Sequence, residues 1–294
     1  MSDQPQQQPQ EPPILIALRP ARALIGWMNE QEATLWLSGR RSDLQSNPDN
    51  ILKATAAIRA VTSRLPGLDQ VGVIDTGVEA IATHIANLSM QPASQRFINE
   101  GWQVVIADLS RVVAVQPSVF TDQARERVAA LPQTDILSLA QFTLPVPSPR
   151  AIPFQFDNSK NAYILSSRNP NLRLTGQFQT NVQPGVTALG FLVAEMPSFM
   201  QVALYSGRYL LRDGYHRAYG LLERGITRVP VFFKEFSTSG ELSLPQGLFP
   251  HDVFLGERPP TLNDYLQDQV SADIQMPATS KVVIIQGLEI NALA

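Results

Sequence analysis

The chain has 294 residues, 44% of them hydrophobic and 17% charged, with a formal net charge of −3. That is the composition of a globular protein able to bury a core, as one large domain or two smaller ones, and not of a disordered chain. The net charge argues against a protein that holds DNA mainly by bulk electrostatics and leaves room only for a local basic groove. The absence of cysteine excludes disulfides, thiolate nucleophiles and cysteine-ligated zinc.

In chain order, residues 2–13 (SDQPQQQPQEPP) are nearly all Gln, Pro or acidic, which predicts a disordered tail over 1–13. The stretch ILIALRPARALIGWM is interrupted by Arg19, Pro20 and Arg22, so it is no membrane span. The N-terminus shows no charged-then-apolar secretion pattern, and a soluble cytoplasmic protein is expected. A helical N-terminal region is expected over 14–95. In NPDNILKATAAIRAVTSRL an Asn and an Asp precede apolar residues Ile51, Ala54, Ile58 and Val61 at helical spacing. A second stripe runs through Val78, Ile81, Ile85 and Leu88, with His84 as a packing residue beside it.

The texture changes near Gly101, and an α/β (α+β) domain is expected over 96–238. WQVVIADL reads as a strand, and TDQARERVAAL as a helix capped by Thr121 or Asp122 and stopped before Pro132. Residues 142–185, rich in Pro, Asn and Ser, read as a loop-rich insertion with one strand at NAYILSS. FMQVALYSGRYLLR reads as a hairpin turning at Ser206-Gly207. A helix is expected from about Tyr215 to Arg224, with Gly225 as its left-handed C-cap. VPVFF closes the unit as a strand, and Pro230 points to an edge or a bulge there. A C-terminal extension over 239–294 holds a linker-like STSGELSLPQGL, a Thr261–Asp264 capping signal and a last strand at KVVIIQGLEI.

The chemistry-bearing run is DGYHR at 213–217, between the hairpin and the helix. A helix that starts directly after a strand leaves its first amides unpaired at the positive end of its dipole, where an anion fits. Gly214 would let a ligand approach the backbone, Arg217 would fork onto phosphate oxygens, and His216 would donate a hydrogen bond or exchange a proton near neutral pH. Asp213 either caps the helix or holds a bridging magnesium ion. The bland alternative is a capped turn in which none of these groups meets a ligand.

The block FMQVALYSGRYLLRDGYHRAYGLLERGITRVPVFF resembles the core of the ParB/sulfiredoxin superfamily in element order and in its Gly-x-x-Arg helix start. VVIADLSRVVAVQPSVF is similar to the family's opening segment, with Gln116-Pro117 at its Gln-Pro pair. The resemblance implies a small mixed sheet with nucleotide phosphates at the helix start, contacted by Gly214, Tyr215, His216 and Arg217, and His216 and Asp213 as catalytic candidates. Partition-type members bind CTP through Gly-Glu-Arg-Arg-x-Arg-Ala; here Tyr215, His216 and Tyr219 replace the Glu, the first Arg and the last Arg. Sulfiredoxins carry Gly-Gly-Cys-His-Arg, and with Tyr215 in place of the cysteine that reaction is excluded. The remaining similarity is to Asp-Gly-x-His-Arg variants, which implies a nucleotide (CTP, ATP or ADP), with magnesium, and phosphoryl transfer or phosphodiester hydrolysis if turnover occurs.

Glu195 and Asp108 are further carboxylates near the motif strands, Arg168 and Arg173 a potential basic lip, and His251-Asp252 a loop pair; each reads more simply as a solvated or salt-bridged group. Three scattered histidines support no metal site. Two further readings are a scaffold or interaction protein with a degenerate site, with Trp27 and Trp36 on a contact surface or simply buried, and a DNA-binding partition-type protein. A protein partner or a homo-oligomer fits the scaffold reading, and no membrane partner is expected.

Overall fold

The computed structural model describes residues 17–39, 47–131, 134–146, 152, 154–167, 171–278 and 281–286. The expected tail at 1–13, Arg168 and residues 287–290 of the last expected strand lie outside them. The N-terminal region holds β1 (Leu18–Ala23), α1 (Glu30–Leu37), α2 (Pro48–Thr62), the short β2 (Ile74–Asp75), α3 (Ala82–Ser89) and α4 (Pro92–Asn99). Asn47 caps α2 through the Asp49 amide, with Pro48 in the first turn. The buried face of α2 is Ala54, Ala57 and Val61, while Ile51 stays exposed, so the stripe is rotated from the expected one. The cause is a close backbone approach. A Cβ on Gly26 would sit 2.7 Å from Val61 Cγ2 and 3.0 Å from the Ala57 carbonyl, so small residues must face it. His84 and Leu88 on α3 and Ile81 just before it turn inward, and His84 Nε2 lies 2.9 Å from the Leu144 carbonyl.

The next segments are β3 (Gln103–Asp108), β4 (Val113–Ala114), β5 (Ser118–Phe120), α5 (Thr121–Ala129) and α6 (Ile136–Thr143). Then come four strands, β6 (Phe154–Asp157), β7 (Ala162–Ser167), β8 (Leu172–Gln183) and β9 (Val186–Glu195). The motif block follows as β10 (Gln201–Tyr205), β11 (Arg208–Asp213), α7 (Tyr215–Glu223) and β12 (Arg228–Phe236). The chain closes with α8 (Ser239–Leu242), α9 (His251–Phe254), β13 (Ala272–Pro277) and β14 (Lys281–Gln286). The architecture is α+β. Its main sheet has the order β2-β3-β12-β10-β11-β4, with β10 and β12 parallel, β11 and β4 parallel, and the other pairs antiparallel.

Local chemistry explains the motif block. Ser206 and Gly207 both have positive φ (49° and 72°), as the two-residue hairpin turn requires. Gly225 (φ 75°) ends α7, and its amide and that of Ile226 return to Leu222 and Leu221. Pro230, expected at an edge, lies in an interior strand. The Phe232 amide donates to Met200, and the β10 ladder begins at Gln201 opposite Phe232. The Pro230 nitrogen faces the same way two residues earlier, beyond that ladder, so no strand bond is lost. α5 also departs from expectation: Phe120 is its N-cap and neither Thr121 nor Asp122 caps it.

Two expectations about organisation change. The stretch read as loop-rich contains β6, β7 and β8, with β7 between β6 and β14, and β8 paired with β9. Turn-formers do populate it, but β8 buries only Leu172, so it lacks the half-buried alternation that marks a strand in sequence. The two ends of the chain meet. β1 pairs with β13 on one side and β5 on the other, and one core runs from Ala21 through Leu210 and Phe254 to Ile274. The boundaries near 95 and 238 therefore do not divide the core. The Thr261–Asp264 capping box forms as expected.

Candidate functional site

β11 delivers Asp213 to the start of α7, and Gly214 makes the turn with φ 106°. A Cβ there would lie 2.5 Å from Met200 Cγ and 3.3 Å from Met200 Cα. What approaches Gly214 is thus the lead-in to β10, where the sequence suggested a ligand. Asp213 sits one residue before the N-cap: Oδ1 accepts from the Gly214 amide (2.6 Å) and Oδ2 from Ser198 Oγ (3.3 Å). No side chain caps α7. The expected Asp213 cap is therefore displaced onto the N-cap residue itself, which puts its negative charge at the positive end of the helix but leaves the first-turn amides of Tyr215, His216 and Arg217 without a side-chain acceptor.

Tyr215 is a brace. Its hydroxyl donates to the Leu211 carbonyl (2.6 Å) and accepts from the amides of Val115 (2.8 Å) and Gln116 (3.3 Å). Burial pushes its pKa well up, so the phenol stays protonated and ties the Gln116-Pro117 segment to β11. Its lone pairs are engaged by backbone, which leaves little of the hydroxyl for the ligand contact the family likeness implied.

Arg217 is buried to 4% exposure. Nη1 donates to the carbonyls of Ser198 (2.7 Å), Thr143 (3.2 Å) and Phe142 (3.3 Å), and Nη2 donates to Ser198 Oγ (3.0 Å). The guanidinium thus closes the C-terminal end of α6, where carbonyls lack partners and the dipole favours a cation. Burial draws its pKa down to about 10, with Asp213 opposing, so it remains charged. A full fork onto phosphate is not its arrangement. Nε remains, buried and without a hydrogen-bond partner.

His216 lies parallel to Phe120 (6.2 Å between centroids, 3° between planes), and its Nε2 is likewise buried and unpartnered. Burial first, then Arg127 and Arg19, hold its pKa down at about 3. It is neutral at pH 7, so it offers one hydrogen bond there and does not titrate near neutrality as its residue type suggested. Arg19 is engaged with Asp122 (2.9 Å) and lies over Phe120 (5.0 Å).

Arg127 on α5 completes the cluster, and sequence reading missed it. It is half-buried, and its guanidinium makes no hydrogen bond or salt bridge with a described residue. Burial lowers its pKa while Asp213 raises it. α5 packs on α7, and the Arg127 charge depresses the pKa of both His216 and Arg217. The available signal was an arginine at the margin of the Ala124–Val128 face of a short amphipathic helix.

The other candidates are not part of this cluster. Asp108 caps the turn after β3 through Ser110, and Glu195 bonds Ser167 Oγ. Arg173 donates to the Leu172 carbonyl, and His251 begins α9 against Phe254. Trp36 is buried, and Trp27 Nε1 donates to the Arg258 carbonyl beneath Arg64. Among the described residues no group of three or more His, Asp or Glu side chains is placed to hold a metal ion, and no helix is long and apolar enough to cross a membrane. No family model, curated protein or solved structure matches the chain.

Proposed function

We propose that this protein is a ParB/sulfiredoxin-like domain that binds a phosphate-bearing small molecule, a nucleotide foremost, at the start of α7. The observation that carries the reading is a cluster at the start of α7: Arg127 on the packed neighbour α5, half-buried, with no side-chain hydrogen bond to a described residue and drawn toward Asp213 and Glu126 by charge alone, the helix start without a side-chain cap, and two orphaned buried nitrogens, Arg217 Nε and His216 Nε2. A buried donor without a partner costs free energy unless a ligand satisfies it, and Arg127 and Arg217 together outweigh the single nearby charge of Asp213, an excess that favours an anion. The side chains do not fit a resident magnesium ion, since Asp213 is the one carboxylate at the turn and accepts two hydrogen bonds. Magnesium would arrive as the counter-ion of a triphosphate. Binding is better supported than turnover, because a histidine titrating near 3 is a poor general base or acid at neutral pH. The cytoplasm, which supplies nucleotides, is the compartment this reading calls for.

Calorimetric titration with pyrophosphate, CTP, ATP and ADP, with and without magnesium, tests it. Saturable binding that Arg127→Ala weakens at least about tenfold, roughly 1.4 kcal/mol, is the expected result. No binding of any of them to the folded protein would overturn it. A second reading, a scaffold with a degenerate site, draws on the backbone roles of Tyr215 and Arg217; it predicts that outcome. Gel shifts over a salt series would expose partition-type DNA binding, which should weaken steeply with salt.

A further inference from the structure

The carboxylate of Asp213 stands inside the cluster at the start of α7, in the surroundings of a bound anion. Its Oδ1 accepts from the Gly214 amide (2.6 Å) and its Oδ2 from Ser198 Oγ (3.3 Å). Ser198 Oγ in turn accepts from Arg217 Nη2 (3.0 Å), so that guanidinium reaches the carboxylate through the hydroxyl. Arg127 faces it with charge alone. A main-chain amide, a hydroxyl and two guanidinium charges are the partners a phosphate oxygen would take.

The charges nearly balance. Arg127 and Arg217 supply two positive charges and Asp213 one negative, an excess of one. Other charged groups nearby are engaged elsewhere. Arg19 is paired with Asp122 (2.9 Å), and Glu126 stands exposed on α5, where water and salt screen it. Successive side chains of a strand point to opposite faces, and Arg212 turns away from Asp213 to the Leu242 carbonyl (3.0 Å) and Gln201 Oε1 (2.6 Å). Arg217 Nε, in a side chain only 4% exposed, and His216 Nε2 stay unpartnered despite the carboxylate. A second anion therefore has donors of its own, but it must share them with a charge already present.

We propose that Asp213 sets the selectivity of this site as an internal competitor, penalising each negative charge a ligand brings and biasing the site toward the magnesium complex of a di- or triphosphate over the free anion. The inference rests on the phosphate-binding reading above. A like charge within a few ångströms opposes an incoming anion, and the penalty grows in proportion to the ligand's charge. Magnesium cancels part of that charge before the ligand arrives, and the two arginines attract what remains. The metal stays on the phosphates, while Asp213 acts on the net charge of the complex.

The test is calorimetric titration of the full chain and of Asp213→Asn with sodium pyrophosphate, in EDTA and in excess magnesium, and with orthophosphate. Asn keeps an oxygen for the Gly214 amide and removes only the charge. Asp213→Ser, which unlike an Asn-Gly pair does not deamidate back to a carboxylate, is the second neutral variant, and circular dichroism checks that both fold. Asp213→Asn is expected to tighten free pyrophosphate at least about tenfold. Magnesium pyrophosphate and orthophosphate should gain less, so the preference shifts toward the free anion, and the gain should shrink as salt rises. A purely structural role for Asp213 would move all three ligands alike. Binding to the parent that both neutral variants leave unchanged or weaken, or equal gains for the three ligands, overturns this inference and leaves the site reading standing. No binding to the parent or to either variant removes both.

Discussion

Replacing Tyr215 with Phe removes one oxygen and nothing else. The oxygen serves three buried or half-buried backbone groups: the amides of Val115 and Gln116 and the carbonyl of Leu211. Each buried group left without a partner costs about 1–3 kcal/mol. The Gln116 contact is long at 3.3 Å, so the short bonds to Val115 and Leu211 dominate and the expected loss is about 2–5 kcal/mol. Against a typical total of about 5–15 kcal/mol that is a large fraction. At roughly 2–4 °C per kcal/mol for chains of this order, it should appear as a fall in Tm of at least about 4 °C. Urea and thermal unfolding followed by circular dichroism read it, alongside pyrophosphate titration of the folded variant. Stability within about 0.5 kcal/mol of the parent, with anion binding abolished, would refute the brace and return Tyr215 to the ligand.

The two arginines of the cluster should separate cleanly. Arg127→Ala is expected to weaken phosphate binding at least about tenfold while stability changes little, since a partly desolvated charge without a hydrogen bond is removed; Arg217→Met should cost about 2–4 kcal/mol in urea melts by taking the guanidinium from the Ser198 and Phe142 carbonyls, while the Thr143 carbonyl keeps the Met200 amide. His216 stays neutral in the fold down to about pH 3, whereas the unfolded chain takes up that proton near 6.5. Its contribution is therefore complete above pH 6.5 and declines as pH falls toward 3, by about 2 kcal/mol at pH 5. Urea melts at pH 7 and pH 5 should show this loss, and His216→Gln should lack it. A bound phosphate should move the imidazole titration upward, read by NMR of the ring. Gly214→Ala meets both a positive φ and the Met200 backbone and should cost about 2–4 kcal/mol, detectable as a lowered Tm.

The motif block was legible because its structure is local. Ser206-Gly207, Gly214 and Gly225 stand where the chain needs positive φ, and residues on either side carry the apolar pattern of a hairpin, a helix and a strand. β8 was not legible, because a ribbon exposed on both faces has no buried side to print an alternation into the sequence. Nor was the setting of Pro230, since whether a strand is interior depends on β3 and β10, far away in the chain.

The sequence by itself determined where the backbone turns and where α7 begins, because those choices rest on the steric limits of a few neighbouring residues. Only the tertiary structure decided what the side chains at that turn do. The partners of Arg217 come from Phe142, Thr143 and Ser198, and those of Tyr215 include Val115 and Gln116. The charge that keeps His216 neutral comes in part from Arg127 on another helix. Hydrogen bonding and desolvation are set by whatever the fold brings within a few ångströms, and at this site the fold draws those groups from up to a hundred residues away.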